Sequence, residues 1–308
     1  MKQATISKHI DIFGFPMDLG AGRRGVDMGP SALRIAGLEQ QLERIGYDVT
    51  DHGDVFIKNQ ERQIVKNPRL KYLEEIVRTT ELLAKKVERS LEHGNFPLCI
   101  GGDHSMSIGT LAGISAHCKK EKKELGLIWI DAHADMNTDS TTPSGNIHGM
   151  SVAASLGLGS KALSTIYGFS PKIKSENVVL IGIRSLDSDE RETIKKLGMK
   201  IYTMTDIDRK GINFIINKVL KDLKPRVQHI HVSFDADSID PSIAPGVGTP
   251  VSGGLNYPEA HLLMETIAEC GCMSSLEVAE INPILDTRNG SAEITAELIA
   301  SSLGLRIM

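Results

Sequence analysis

Leu125-Gly-Leu-Ile-Trp-Ile-Asp-Ala-His-Ala-Asp135 decides how this chain is read, because an apolar run without a single charge leads directly into Asp131, His133 and Asp135. A short continuous apolar run rich in Ile and Trp is the pattern of a strand buried on both faces, as in a parallel sheet. If the strand conformation continues past Ile130, alternation with period two sends Asp131, His133 and Asp135 to one face and Ala132 and Ala134 to the other. Working outward, His231-Val-Ser-Phe234 precedes Asp235 and Asp237, again spaced across an alanine. A third run, Pro97-Leu-Cys-Ile100, reaches His104 through Gly101, Gly102 and Asp103. Three strand ends are thereby expected to bring His104, Asp131, His133, Asp135, Asp235 and Asp237 to one place.

The chemistry of that set points to two divalent cations. Its four carboxylates carry about four negative charges, which two such ions balance, and two carboxylates must bridge if each ion is to be adequately coordinated. Two imidazoles and no thiolate suit a hard ion, and manganese fits best among carboxylate, imidazole and water ligands, although ligand type alone leaves zinc, iron, cobalt and nickel open. A bridged pair about 3.5–4 Å apart turns water into hydroxide at neutral pH.

The bulk properties narrow the partners. With 308 residues, 41% hydrophobic and 4% aromatic content, and a formal net charge of −4, the chain offers no basic field for nucleic acid, and a small polar substrate is expected. No linker-like stretch divides it, so residues 1–308 read as one domain. No apolar stretch approaches the roughly 18–20 residues that cross a bilayer, and the polar lead from Met1 to Lys8 lacks the form of a signal peptide. Cys99, Cys118, Cys270 and Cys272 form no Cys-x-x-Cys pair, which argues against a disulfide scaffold and for a cytoplasmic protein without membrane attachment. The run from Lys119 to Glu124 reads as a solvated helix end or loop rather than a binding patch.

Strand patterns fall near 10–15, 48–52, 97–100, 125–131, 178–183, 200–203, 229–236 and 275–281, and helical patterns fill most gaps, including 30–45, 69–93, 106–118, 188–197, 211–223, 258–270 and 291–302. Eight alternating units fit a (β/α)8 barrel or an open doubly wound sheet, and both put ligands at the carboxyl ends of the strands. The long irregular stretches 136–148 and 237–257 follow the ligand clusters and are where specificity is expected.

Gly101-Gly-Asp-His-Ser105, Asp131-Ala-His-Ala-Asp135, Ser144-Gly-Asn-Ile-His-Gly149 and Ser233-Phe-Asp-Ala-Asp-Ser-Ile-Asp-Pro241 together resemble the ureohydrolases, and among them the arginases. The resemblance spans nearly the whole chain, from Gly25 to Pro30, through Ala244 to Pro250, to Glu280-Ile-Asn-Pro283. It implies a three-layer α/β/α fold with a central eight-stranded parallel sheet, open rather than closed into a barrel, and two Mn2+ per subunit. One ion would be held by His104, Asp131, Asp135 and Asp235, the other by Asp131, His133, Asp235 and Asp237, with Asp131 and Asp235 bridging. The implied reaction is hydrolysis of L-arginine to L-ornithine and urea by a metal-bridging hydroxide.

Other residues acquire roles by the same resemblance. Glu280 would pair with the guanidinium, Asp135 would accept a proton from the nucleophile, and His148 would shuttle a proton to the leaving amine. Thr249 matches a residue near the guanidinium. Asn137 and Ser144 match contacts to the α-carboxylate, and Asp187 matches the acid facing the α-ammonium, with Glu190 in support. Ser185 departs from the aspartate of better-known arginases, and Pro258 from an arginine used between subunits, while a homo-oligomer, trimer or hexamer, is the family expectation. Rival readings are another ureohydrolase, such as an agmatinase or a formimino- or guanidino-acid hydrolase, and a non-catalytic arginine- or metal-binding protein on the same scaffold.

Overall fold

The computed structural model describes residues 7–306; the polar lead read from the sequence lies, for residues 1–6, outside them. Eight strands form one sheet: β1 (His9–Phe15), β2 (Asp48–Asp54), β3 (Phe96–Gly101), β4 (Leu125–Ile130), β5 (Val178–Ile183), β6 (Lys200–Thr203), β7 (His229–Asp235) and β8 (Met273–Ala279). Their order is β2-β1-β3-β8-β7-β4-β5-β6, every pairing is parallel, and the sheet stays open. The expected strands are therefore all present, and the open sheet is the outcome rather than the barrel.

Alternation along each strand divides the core into two layers. Ile128 and Ile130 face one layer with Ile10, Ile12, Val232 and Phe234, whereas Leu125, Leu127 and Trp129 face the other with Phe13 and Phe15. The helices Leu73–Glu92 and Met106–Lys120 pack together on the second side; Ile212–Leu223, Tyr257–Cys270 and Gly290–Ser302 cover the first. Each buries an apolar stripe, which stabilises the layered arrangement.

Topology then places the site. After β3 the chain lays down β4 three positions away, and β7 and β8 later fill the gap, so that Leu98 pairs with Leu276 and Ile130 with Phe234. The carboxyl ends of β3, β8, β7 and β4 stand side by side at this switch in strand order, the usual location of a ligand crevice in an open α/β sheet.

Three local readings are corrected. The pattern over 30–45 is two helices, Gly29–Ile35 and Leu38–Arg44, because Gly37 turns the chain with φ 77°. Cys270 and Cys272 are joined in a disulfide, since Gly271 at the helix end adopts φ 56° and leaves their Cα atoms 5.2 Å apart; Cys99 and Cys118 are free and buried. A further helix, Met204–Lys210, runs just ahead of Ile212–Leu223, started by a Thr203 side chain that accepts from Asp206 N.

Candidate active site

Asp131 directly follows β4, Asp235 ends the adjacent β7, and both use the same turn. Asp131 Oδ1 accepts from the N–H of His133 at 2.6 Å, and Asp235 Oδ1 accepts from the N–H of Asp237 at 2.7 Å. β4 stops at Ile130, so the expected strand alternation is not what gathers Asp131, His133 and Asp135. The chain bends instead, with each aspartate folding it over its own carboxylate, and Asp135 takes φ 49°, an uncommon conformation for a residue with a Cβ. Two N–H groups at the start of the helix Ser151–Ser155, those of Val152 and Ala153, hold the Asp135 carbonyl at 3.1 and 3.2 Å.

His104 reaches the same point by a tight passage. A Cβ on Gly102 would stand 1.9 Å from the Met17 carbonyl oxygen, so only glycine lets the two backbones meet there. The His104 ring stacks on Trp129 with centroids 3.9 Å apart, and its Nε2 bonds Ser233 Oγ at 2.8 Å. Nδ1 is left facing Asp235 Oδ2 at 3.0 Å, Asp131 Oδ2 at 3.2 Å and Asp135 Oδ2 at 3.6 Å. His133 Nδ1 lies 3.1 Å from Asp237 Oδ2 and 3.4 Å from Asp131 Oδ1.

Two potential metal-ligand groups result, His104 with Asp131 and Asp135, and Asp131 with His133 and Asp237, each with ligand atoms within 4.8 Å of one another. They share Asp131. Asp235 joins the first group through its approach to His104, while its other oxygen is taken by the Asp237 N–H. The donor set fits divalent cations on two observations. His104 Nδ1 and Asp131 Oδ2 are buried without a hydrogen-bond partner, an arrangement that costs free energy unless something charged completes it. The crowded carboxylates also repel one another, which a cation between them would relieve. Burial and the neighbouring acids push Asp135 and Asp235 well above the carboxylate range. Burial opposes the charged imidazoles, yet the surrounding carboxylates raise His104 to about 9 and His133 to about 12.

Glu280 follows β8 with φ 66° and is buried. Its Oε1 accepts from the His104 N–H at 2.9 Å and bonds His148 Nδ1 at 2.9 Å, whereas Oε2 has no partner. Burial disfavours charge on both members, but each partner outweighs it, so Glu280 is held below its ordinary value and His148 above. Sequence reading gave the two residues separate roles; in the folded chain they are one ion pair.

On the other side of the crevice, Asn137 Nδ2 donates to Asp187 Oδ2 at 3.0 Å. Glu190 is buried and clamps both segments, accepting from Met136 N at 2.9 Å through one oxygen and from Asp187 N at 3.0 Å through the other. A cavity of about 160 Å3 opens between these residues and the aspartate cluster, lined by His133, Asp135, Asn137, Ser144, Asp187 and Thr249, with Ser185 on its wall. Thr249 Oγ1 donates to Asp237 Oδ2 at 2.9 Å. The structure thus brings every candidate residue to this crevice or its rim.

Sequence reading missed the residues that hold the loops. Arg184 donates to the Asp237 carbonyl at 2.6 Å and the Val251 carbonyl at 2.7 Å, pinning the stretch after β7. Arg69 reaches the carbonyls of Asp139 and Ser140 at 2.8 Å, and Lys71 Nζ donates to Asn146 Oδ1 at 3.0 Å. A cation that spends its hydrogen bonds on distant carbonyls leaves no spacing signal. Ser233 was legible only as a strand residue, although its spacing from Asp235 puts it on the same side of β7.

A sequence profile of the Arginase family matches residues 8–304. An arginase from Bacillus caldovelox is 51% identical over 302 residues, covering 98% of this chain and 100% of that protein, and its native structure superposes with a TM-score of 0.94 over the same shares. An arginase from Bacillus subtilis is 50% identical over 304 residues, covering 98% and 100%. The structure of an Entamoeba histolytica arginase in complex with L-ornithine matches with a TM-score of 0.90 at 29% identity, covering 97% and 100%.

Proposed function

This chain belongs to the arginase family, and from that premise we propose that it hydrolyses L-arginine to L-ornithine and urea, with residues 1–308 acting as one catalytic domain. The observation that carries this reading is the convergence of His104, Asp131, Asp135 and Asp235 on one side and His133 and Asp237 on the other, with Asp131 common to both ligand groups. Two Mn2+ held there would supply a strong nucleophile from water at neutral pH and a positive field for the charge that develops on the reacting group.

The protein's own groups do the rest. Glu280 Oε2, buried and unpartnered, accepts from the guanidinium and aims its carbon at the aspartate cluster. Glu280 Oε1 meanwhile accepts from His148 Nδ1 and raises the proton affinity of the ring, which suits His148 to hand a proton to the departing amine. Asp135 takes up the proton that the attacking water loses, from its place at the edge of the aspartate cluster facing the cavity. Thr249 steadies Asp237 next to the guanidinium position.

At the far end of the substrate, Asn137 and Ser144 bind the α-carboxylate, and Asp187, supported by Glu190, binds the α-ammonium. This end separates the reading from an agmatinase, whose substrate has no carboxylate to bind. A urea-release assay with manganese across a panel of guanidino compounds tests it: arginine is turned over well ahead of agmatine, and comparable rates on both would refute the choice of substrate. A manganese-loaded protein releasing no urea from any of them would instead support a binding protein.

We place the protein in the cytoplasm on the free, buried thiols of Cys99 and Cys118; the Cys270–Cys272 link joins residues two apart and staples no distant segments. Among the described residues, no helix is long and apolar enough to cross a membrane. Assembly into a trimer or hexamer follows the family expectation, with Pro258 at the start of the helix Tyr257–Cys270 supplying no charged contact.

A further inference from the structure

Lys172 is buried, with 5% of its surface exposed, and pairs with no carboxylate among the described residues. Its Nζ donates to the carbonyls of Ser164 and Phe169 and lies 4.4 Å from the centre of the Phe169 ring. Lys119 Nζ approaches the same ring at 5.0 Å. These groups line a cavity of about 470 Å3 together with Lys122 and Lys123, which lie just beyond the helix Met106–Lys120. The cavity's one carboxylate, Glu124, is already engaged by Lys174 at 2.7 Å.

The charge run from Lys119 to Glu124 is the solvated helix end and turn read from the sequence, with Lys119 to Lys123 exposed, and it also borders this cavity. Helix-end electrostatics account for Lys119, since cations are favoured near the last turn. Capping the carbonyl of Ser164, the last residue of the helix Lys161–Ser164, accounts for the direction of Lys172. Neither accounts for four lysines lining one space whose single carboxylate is already paired, in a protein of net charge −4. Two carbonyls and a ring solvate the Lys172 ammonium, but no carboxylate balances its charge, and burying a charge without one is costly. Burial already depresses Lys172 to about 8.

We infer that this cavity is a binding site for a small anion carrying two or more negative charges, held by Lys119, Lys122, Lys123 and Lys172 over the face of Phe169. Its size falls within the roughly 300–1,000 Å3 of small-molecule sites. It adjoins Leu125, the first residue of β4, at the opposite end of that strand from Asp131. No residue of the metal cluster takes part, so binding here and hydrolysis there are separable.

Calorimetric titration of the metal-loaded protein with a naphthalenetrisulfonate, a trianion that is a poor chelator, tests the inference against benzenesulfonate at matched ionic strength. The trianion binds one per chain and weakens as chloride is raised. Replacing both Lys122→Gln and Lys123→Gln lowers its affinity by about tenfold or more while urea release stays at the unmodified rate, and Lys172→Met lowers it further. The inference is overturned if the trianion does not bind, if the double variant binds it as tightly as the unmodified chain, or if benzenesulfonate binds equally well. The double variant alters exposed side chains only, so the test stands even if Lys172→Met fails to fold.

Discussion

His148 Nδ1 and Glu280 Oε1 lie 2.9 Å apart, joining a loop histidine to a buried carboxylate 132 positions later in the chain. In the proposed mechanism the contact links the residue for the leaving amine with the residue for the guanidinium, so one ion pair would serve both ends of the bond to be broken.

The pair makes stability depend on pH in a definite window. His148 is raised above 6.5 and Glu280 lowered below 4.5. The histidine contribution is complete below about 6.5 and fades as pH rises through the higher folded value; the carboxylate contribution is complete above about 4.5 and fades as pH falls. Denaturant titration of the chelator-treated protein should give a stability loss for His148→Gln that is greatest near pH 5–6 and shrinks toward pH 9. A loss that grows with pH would contradict the ion pair.

Loss of the shuttle has a kinetic signature as well. With manganese bound, His148→Asn should lower kcat by about 100- to 10,000-fold, the usual range for a general acid, with bound metal unchanged by elemental analysis. A change confined to KM would remove His148 from the chemical step.

Asp187→Ala should raise KM for arginine strongly and leave metal content intact, because Asp187 bonds Asn137 and touches none of the aspartate cluster. Asp187→Asn keeps a hydrogen-bonding side chain while removing the charge. If the charge recognises the α-ammonium, both variants lose affinity; an asparagine variant with unmodified KM would assign the residue to loop structure alone.

Glu190→Ala strips two backbone N–H groups, those of Met136 and Asp187, of their acceptor. The Met136 N–H is buried, and an unsatisfied buried donor costs about 1–3 kcal/mol, so a lowered melting temperature should accompany a raised KM. An unchanged melting temperature would show that water replaces the carboxylate.

His133→Ala should empty one metal position, since His133 belongs with Asp131 and Asp237 but not with His104. Elemental analysis after dialysis should fall from about two ions per chain to about one. Two tightly held ions in the variant would contradict the division of ligands.

Much of this was legible because it is local. Ligand-type side chains directly after three apolar runs mark the strand ends that carry the site whatever the strand order, and eight strand patterns gave eight strands. Alternation nevertheless misjudged how Asp131, His133 and Asp135 converge. A carboxylate that captures an N–H two residues on competes with strand geometry, and here the turn won. The contribution of Arg184 was illegible for a different reason: its acceptors are carbonyls, which every residue has.

The sequence by itself determined the alternation of strands and helices and the His and Asp side chains of a cluster that could hold metal, because these depend on side-chain chemistry and short-range periodicity. Tertiary structure alone decided that β8 and β7 fill the gap between β3 and β4. That placement sets Glu280 beside His104 and His148, and Asp235 against Asp131. Parallel pairing between distant segments depends on which arrangement buries two core layers at once, a property of the whole chain that no stretch of it encodes.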